Sequence, residues 1–228
     1  MVDPTINLKV IDVVVSSAGV TATNERNLEP NASAAAWSPR GDKIAYVKHE
    51  AVPNVIHIRD LVTNETLSIA DPDNTRNAGW PAWNPAGTHL AYTWDDNNQG
   101  EYSIRITEVV DETTNQFVSS GEDRELFSSV SGASALDWSR VGGLLAFKGG
   151  AMQVMDPTGS TQIALPNSTS TESPTWMPTS GTELVFMTRN GPSGAGKRKI
   201  VKRDLITNVE TVIVERNGYH LYEPDWRR

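Results

Sequence analysis

One phrase in the sequence has the look of a catalytic motif: Gly191-Pro192-Ser193-Gly194-Ala195-Gly196-Lys197-Arg198. Its spacing fits a phosphate-cradling loop, in which backbone amides and a lysine surround the phosphates and a following Ser or Thr holds Mg²⁺. Arg198 stands where that Ser or Thr must be. Residues 199–205 then alternate like a strand, whereas phosphate binding needs a helix whose first amides face the anion. The phrase reads as a glycine-rich loop between strands. Asp137 and Asp225 are the next candidates, because each directly precedes a tryptophan where other copies of the same phrase have Ala36, Ala82 and Thr175. Two carboxylates facing one channel would make an acid/base pair for glycoside cleavage, or a cation site; the plainer alternative is a solvated Asp at a strand end.

His49, His57, His89 and His220 are scattered without ligand spacing, and no G-x-S-x-G nucleophile phrase occurs. Asp95-Asp96-Asn97-Asn98 and Asp71-Pro72-Asp73-Asn74 offer oxygen donors of the kind Ca²⁺ takes, without EF-hand spacing. No catalytic, cofactor-binding or metal-ligating set is assigned. The expectation is a protein that is not an enzyme.

The elements that must position these residues are set by a repeat. Trp37-Ser38-Pro39-Arg40-Gly41-Asp42-Lys43-Ile44-Ala45-Tyr46 recurs as Trp83–Tyr92, as Trp138–Phe147 without the Pro, and as Trp176–Phe186 with one more turn residue. A fifth copy starts at Pro224-Asp225-Trp226. A period of roughly 40–50 residues matches four-stranded propeller blades. In the first repeat the strands, named A to D outward from the axis, are expected at 32–37, 43–48, 54–60 and 65–70. The second has B at 90–94, C at 102–109 and D at either 116–120 or 124–127, with an acidic insertion over 111–125. The third has 144–148, 151–156 and 162–165, and the last has C at 199–205 and D at 210–214. Short strands between Gly, Pro, Asn and Asp turns, with no helical period, give an all-β fold.

Residues 6–14 and 20–26 look like C and D strands with no A or B before them. The expected architecture is one β-propeller domain over 1–228 with five blades. Four are complete, and the fifth is composite, closed by 6–26 and 222–228. Such closure removes exposed sheet edges. The alternative is a piece of a six- or seven-bladed ring.

The phrase Pro-x-Trp-Ser-Pro-x-Gly-x-x-Ile-Ala-Tyr, followed by Ile56-His57-Ile58-Arg59-Asp60-Leu61, resembles the repeat of the TolB-like, WD-repeat-like β-propeller family. Where that family usually has Asp after the Pro, this chain has Arg40, Ala86, Val141 and Thr179. The resemblance implies a structural repeat, a propeller of protein-binding type and an extracytoplasmic (periplasmic or secreted) location. Nothing in the chain matches the partner-binding residues of TolB itself.

Trp37, Trp83, Trp138, Trp176 and Trp226 share one repeat position and are expected to pack between blades. Trp80 and Trp94 fall outside it, at the end of a D–A loop and the start of a B–C loop. These loops emerge on one propeller face, where aromatics among polar residues make the usual binding surface. Trp80, Trp94, Asp95, Arg189, Tyr219 and His220 are the expected partner-binding residues; an ordinary solvated loop face is the alternative.

The chain carries 20 basic and 28 acidic residues, a net charge of −8, which disfavours a nucleic-acid partner. It has no cysteine, and therefore neither disulfides nor thiolate metal sites. No apolar run reaches the ~20 residues of a membrane span, and the first residues do not read as a signal peptide. The expected role is a monomeric protein–protein interaction scaffold without cofactor. The alternatives are an accessory or substrate-gating propeller of a larger enzyme, and a five-bladed carbohydrate-active enzyme.

Overall fold

In a computed structural model the described residues are 6–17, 19–49, 53–70, 73, 75–96, 100–118, 121, 123–160, 162–165, 171–189 and 198–216. All regular structure among them is β. A long hairpin comes first, β1 (Asn7–Ser16) against β2 (Gly19–Pro30). Four antiparallel four-stranded meanders follow. They are β3 (Ala32–Trp37), β4 (Lys43–Lys48), β5 (Val55–Asp60) and β6 (Thr66–Ile69); then β7 (Ala78–Trp83), β8 (His89–Asp95), β9 (Glu101–Glu108) and β10 (Asp123–Ser131). The third is β11 (Ser134–Trp138), β12 (Leu145–Gly149), β13 (Ala151–Met155) and β14 (Gln162–Ala164), and the fourth β15 (Thr171–Trp176), β16 (Glu183–Arg189), β17 (Arg198–Asp204) and β18 (Glu210–Arg216).

The expected strands are present within one or two residues at most ends. The open choice in the second blade goes to the later segment, which extends over Asp123–Ser131. Among its described residues the earlier one makes a single bridge, Val110 to Phe117. The strand that follows the glycine loop, β17, excludes the helix that phosphate binding would need. Residues 6–26, expected to contribute two strands to a composite blade, form the β1–β2 hairpin, and the expected C-terminal partner, 222–228, lies outside the described residues.

Local chemistry explains why each phrase folds as it does. Ser38 N–H donates to the Lys43 carbonyl at 2.9 Å, and the Ser38 hydroxyl accepts the Lys43 N–H at 3.0 Å. Asn84 plays the same part, its Oδ1 accepting the Thr88 and His89 amides at 2.8 and 2.9 Å. A polar residue after the tryptophan thus closes the A–B turn. Gly41 and Gly87 hold the left-handed position in it, with φ of 75° and 76°.

The C–D turns share another device. Asp60 Oδ1 accepts the amides of Val62 and Thr63, and Asp204 Oδ1 those of Ile206 and Thr207. Asn64 and Asn208 follow at φ 66° and 57°. Asp111-Glu112-Thr113-Thr114-Asn115 makes the same turn, so the acidic insertion contains an ordinary repeat element.

The core lies between sheets. Val47, Ile56 and Ile58 of the first blade pack on Trp83, Leu90, Tyr92 and Trp94 of the second. Ile104, Leu126 and Val130 meet Leu136, Trp138 and Phe147 of the third, and Val154 and Met152 meet Trp176 and Phe186 of the fourth. Leu8 and Leu28 of the hairpin pack beside Trp37 and Tyr46. Trp83, Trp138 and Trp176 are buried between blades as expected; Trp226 lies outside the described residues.

Candidate functional site

The innermost strands β3, β7, β11 and β15 line a central cavity of about 460 Å³. Each carries a β-bulge at the same repeat position, between Ser33 and Ala36, Gly79 and Ala82, Ser134 and Asp137, and Glu172 and Thr175. The bulge places one residue of each strand in the left-handed region: Ala34 at φ 49°, Trp80 at 50°, Ala135 at 51° and Ser173 at 53°.

Trp80 therefore does not stand outside the repeat. It fills a fixed bulge position where the other blades carry Ala or Ser, and it lies inside β7 rather than at a loop end. A left-handed conformation costs a non-glycine residue about 1–2 kcal/mol. Such strain in a bulky side chain is a reasonable pointer to function.

A second cavity, of about 500 Å³, opens where the B–C and D–A loops of the first two blades meet. Ser33, His49, Asn54, Asn77, Trp80, Asp95 and Tyr102 bring its polar and aromatic groups. Trp80 lines both cavities. Backbone ties hold the rim: His49 N–H to the Asn31 carbonyl at 2.8 Å, Ala78 N–H to that of Asn54 at 3.0 Å, and Asp95 N–H to that of Asn77 at 2.9 Å. The Asn54 amide donates to Asn77 Oδ1 at 2.7 Å.

His49 is bonded at both nitrogens, Nδ1 to Asn54 Oδ1 at 3.1 Å and Nε2 to the Ser33 hydroxyl at 2.7 Å. Asp95 and Tyr102 are opposite residues of the β8–β9 pair. Burial, and then the Asp95 charge, push the Tyr102 phenol above its ordinary range.

The expected binding residues divide. Trp80 and Asp95 come together at this cavity. Trp94 does not: it is 4% exposed, buried in the interface between the first two blades, with Tyr92 edge-on at 5.7 Å. The guanidinium groups of Arg76 and Arg105 lie over its ring at 4.2 and 4.8 Å. Alternation along β8 is the reason, since it turns Trp94 to the opposite side from its neighbours Thr93 and Asp95. Arg189 ends β16, and Tyr219 and His220 lie outside the described residues. Ser33, Asn54, Asn77 and Tyr102 belong to no motif that marks them in the sequence, and His49 there shows only that it lacks ligand spacing. The register of Tyr102 against Asp95 was the available signal.

Asp137 has a structural task. Its Oδ2 accepts the Trp176 amide at 2.7 Å, and its carbonyl accepts the Trp176 indole N–H at 3.2 Å. Asp225 lies outside the described residues. Asp96, at one of the two candidate Ca²⁺ positions, accepts the Ser103 hydroxyl at 2.9 Å. Among the described residues no cluster of three His, Asp or Glu side chains is placed to hold a metal, and no helix is long and apolar enough to cross a membrane.

No family model matches the chain. Solved structures do. TolB from Acinetobacter baumannii superposes with a TM-score of 0.63 at 22% identity over 85% of this chain and 47% of its own length. A putative TolB from Agrobacterium tumefaciens gives 0.64 at 14% identity, over 93% of this chain and 82% of that protein. An oligogalacturonate lyase from Vibrio parahaemolyticus gives 0.57 at 14% identity, over 91% and 62%. The chain has a TolB-like β-propeller fold and spans about half the length of the Acinetobacter protein.

Proposed function

We propose that this TolB-like propeller is a non-enzymatic scaffold that receives a protein partner on the loop face of its first two blades. The observation that carries the reading is Trp80, an aromatic in a strained bulge position where the other blades carry Ala or Ser, lining both the central channel and the loop-face cavity. A rigid aromatic anchor beside polar groups already fixed by hydrogen bonds is the composition of an interaction hot spot. The acidic balance of the chain favours a protein over a nucleic acid. The proposal includes an extracytoplasmic location and a monomeric propeller, in keeping with the TolB-like fold.

The carbohydrate-active reading has less support. It needs Asp137 as an acid or base, and that carboxylate is bonded to the backbone of the next blade.

Affinity capture from a cell extract tests the proposal, with wild type, Trp80→Ala and Val62→Ala compared. Val62 is 81% exposed on the C–D turn of the first blade and lines neither cavity. Loss of the captured partner with Trp80→Ala and its retention with Val62→Ala is the expected result. Equal recovery from all three overturns it.

A further inference from the structure

We infer that the loop-face cavity is a receptor for a primary ammonium group, carried by a lysine side chain of the partner or by a free aliphatic amine. The assignment deepens the loop-face reading and rests on it for where the ammonium comes from.

Among the described residues Asp95 Oδ1 is buried without a hydrogen-bond partner, an arrangement that folding disfavours and a donor from outside would relieve. Several neighbouring polar groups are bonded to one another. His49 is held at both nitrogens by Asn54 and Ser33, and the Asn54 amide is committed to Asn77.

No lysine or arginine is among the described residues lining the cavity, so Asp95 gives it a net negative charge. The guanidinium groups of Arg76 and Arg105 stack over Trp94, and that of Arg105 is also paired with Asp123 and Glu125. Trp80 and Tyr102 add aromatic faces, which attract a cation that has left water.

An unpartnered carboxylate oxygen suits a point donor. A guanidinium gains most from two oxygens at once, and an ammonium needs one. A cavity of about 500 Å³ leaves room for the alkyl stem behind the charge.

The test uses the whole chain and follows the Trp80 indole N–H resonance, identified by its loss in Trp80→Phe. The probes are Nα-acetyl-lysine methylamide, putrescine, the uncharged Nα-acetyl-norleucine methylamide, and maltose. The expected result is a saturable shift with the lysine amide, none with norleucine, and an affinity about tenfold or more weaker in Asp95→Asn of unchanged thermal midpoint. Tighter binding of the lysine amide than of putrescine marks a side-chain receptor, and the reverse a free-amine site. Equal shifts with norleucine, binding of maltose in place of the amines, or indifference to Asp95→Asn overturns the proposal. The two readings fail separately. An unresponsive Trp80 with partner capture still lost in Trp80→Ala removes the ammonium site alone. Amine binding with capture unchanged removes the partner face alone.

Discussion

Asp137 and Trp176 are joined twice across the boundary between the third and fourth blades, the carboxylate accepting the backbone amide at 2.7 Å and the carbonyl accepting the indole N–H at 3.2 Å. Trp83 donates to the Ala36 carbonyl at 3.1 Å in the same way across the first boundary. Trp138 departs from this. Its indole donates to the Gly143 carbonyl of its own turn at 3.0 Å, in the one complete copy that lacks the proline.

Removing the Asp137 carboxylate leaves the buried Trp176 amide without an acceptor, which costs about 1–3 kcal/mol. Asp137→Ala should lower Tm by about 2–10 °C at this chain length. Partner capture should persist at temperatures where the variant is folded. Calorimetry with a parallel capture assay checks both, and a carboxylate that acted in chemistry or binding would break the second expectation.

The turns of the third and fourth blades touch through glycines. A Cβ on Gly142 would stand 2.7 Å from the Gly181 carbonyl oxygen, and one on Gly181 would stand 2.8 Å from Gly142 Cα. Backbone cannot yield as a side chain does, so Gly142→Ala and Gly181→Ala should each destabilise by about 1–3 kcal/mol. Because both clashes are relieved by one shift of the two turns, the double variant should cost less than the sum of the singles. Urea titration reads this; full additivity would contradict the shared contact.

Lys43 is 1% exposed and lies between Asp42 at 3.1 Å and Asp60 at 2.9 Å. Burial alone would raise the Asp42 carboxyl, yet hydrogen bonds from Asn115, Lys43 and Ser38 bring it from 3.8 to about 2. A carboxyl lowered on folding stabilises the protein fully above its unfolded value and loses that contribution as pH falls. The window therefore runs from about pH 4 down to about pH 2, and the stake is about 2 kcal/mol. Asn115→Ala should reduce stability at pH 7, and the gap from wild type should shrink towards pH 2. A gap constant with pH would contradict the linkage.

Trp94 and Trp80 should behave in opposite ways. Trp94→Ala empties the interface between two blades and should cost about 3–5 kcal/mol. Trp80→Gly gives up packing but relieves a left-handed conformation that glycine adopts freely, so its cost should fall well below that of Trp94→Ala. Denaturation midpoints for the two variants, measured side by side, decide it.

The repeat phrase was sufficient to read the blades. Apolar and polar residues alternate along β5 and β9, β4 and β8 are short largely apolar runs, and turn chemistry bounds them all, so both signals are local. The third copy of the Asp-x-x-Thr-Asn turn, at Asp111–Asn115, was hidden because the chain leaves the sheet again before β10 begins. Trp94 was misjudged for a related reason. Acidic and amide residues follow it and read as loop, but the strand runs one residue further, to Asp95.

By itself the sequence determined the all-β blades, their turns and the inter-blade tryptophans, because strand alternation and turn preferences act over a few residues. Only the tertiary structure decided which side chains share a cavity. Trp80, Asp95 and Tyr102 come from three strands and His49 from a loop, and their meeting depends on how two blades stack. The bulge that turns Trp80 into the left-handed region was likewise invisible along the chain. It arises from pairing with β8, and its four copies become apparent only when the innermost strands stand side by side around one axis.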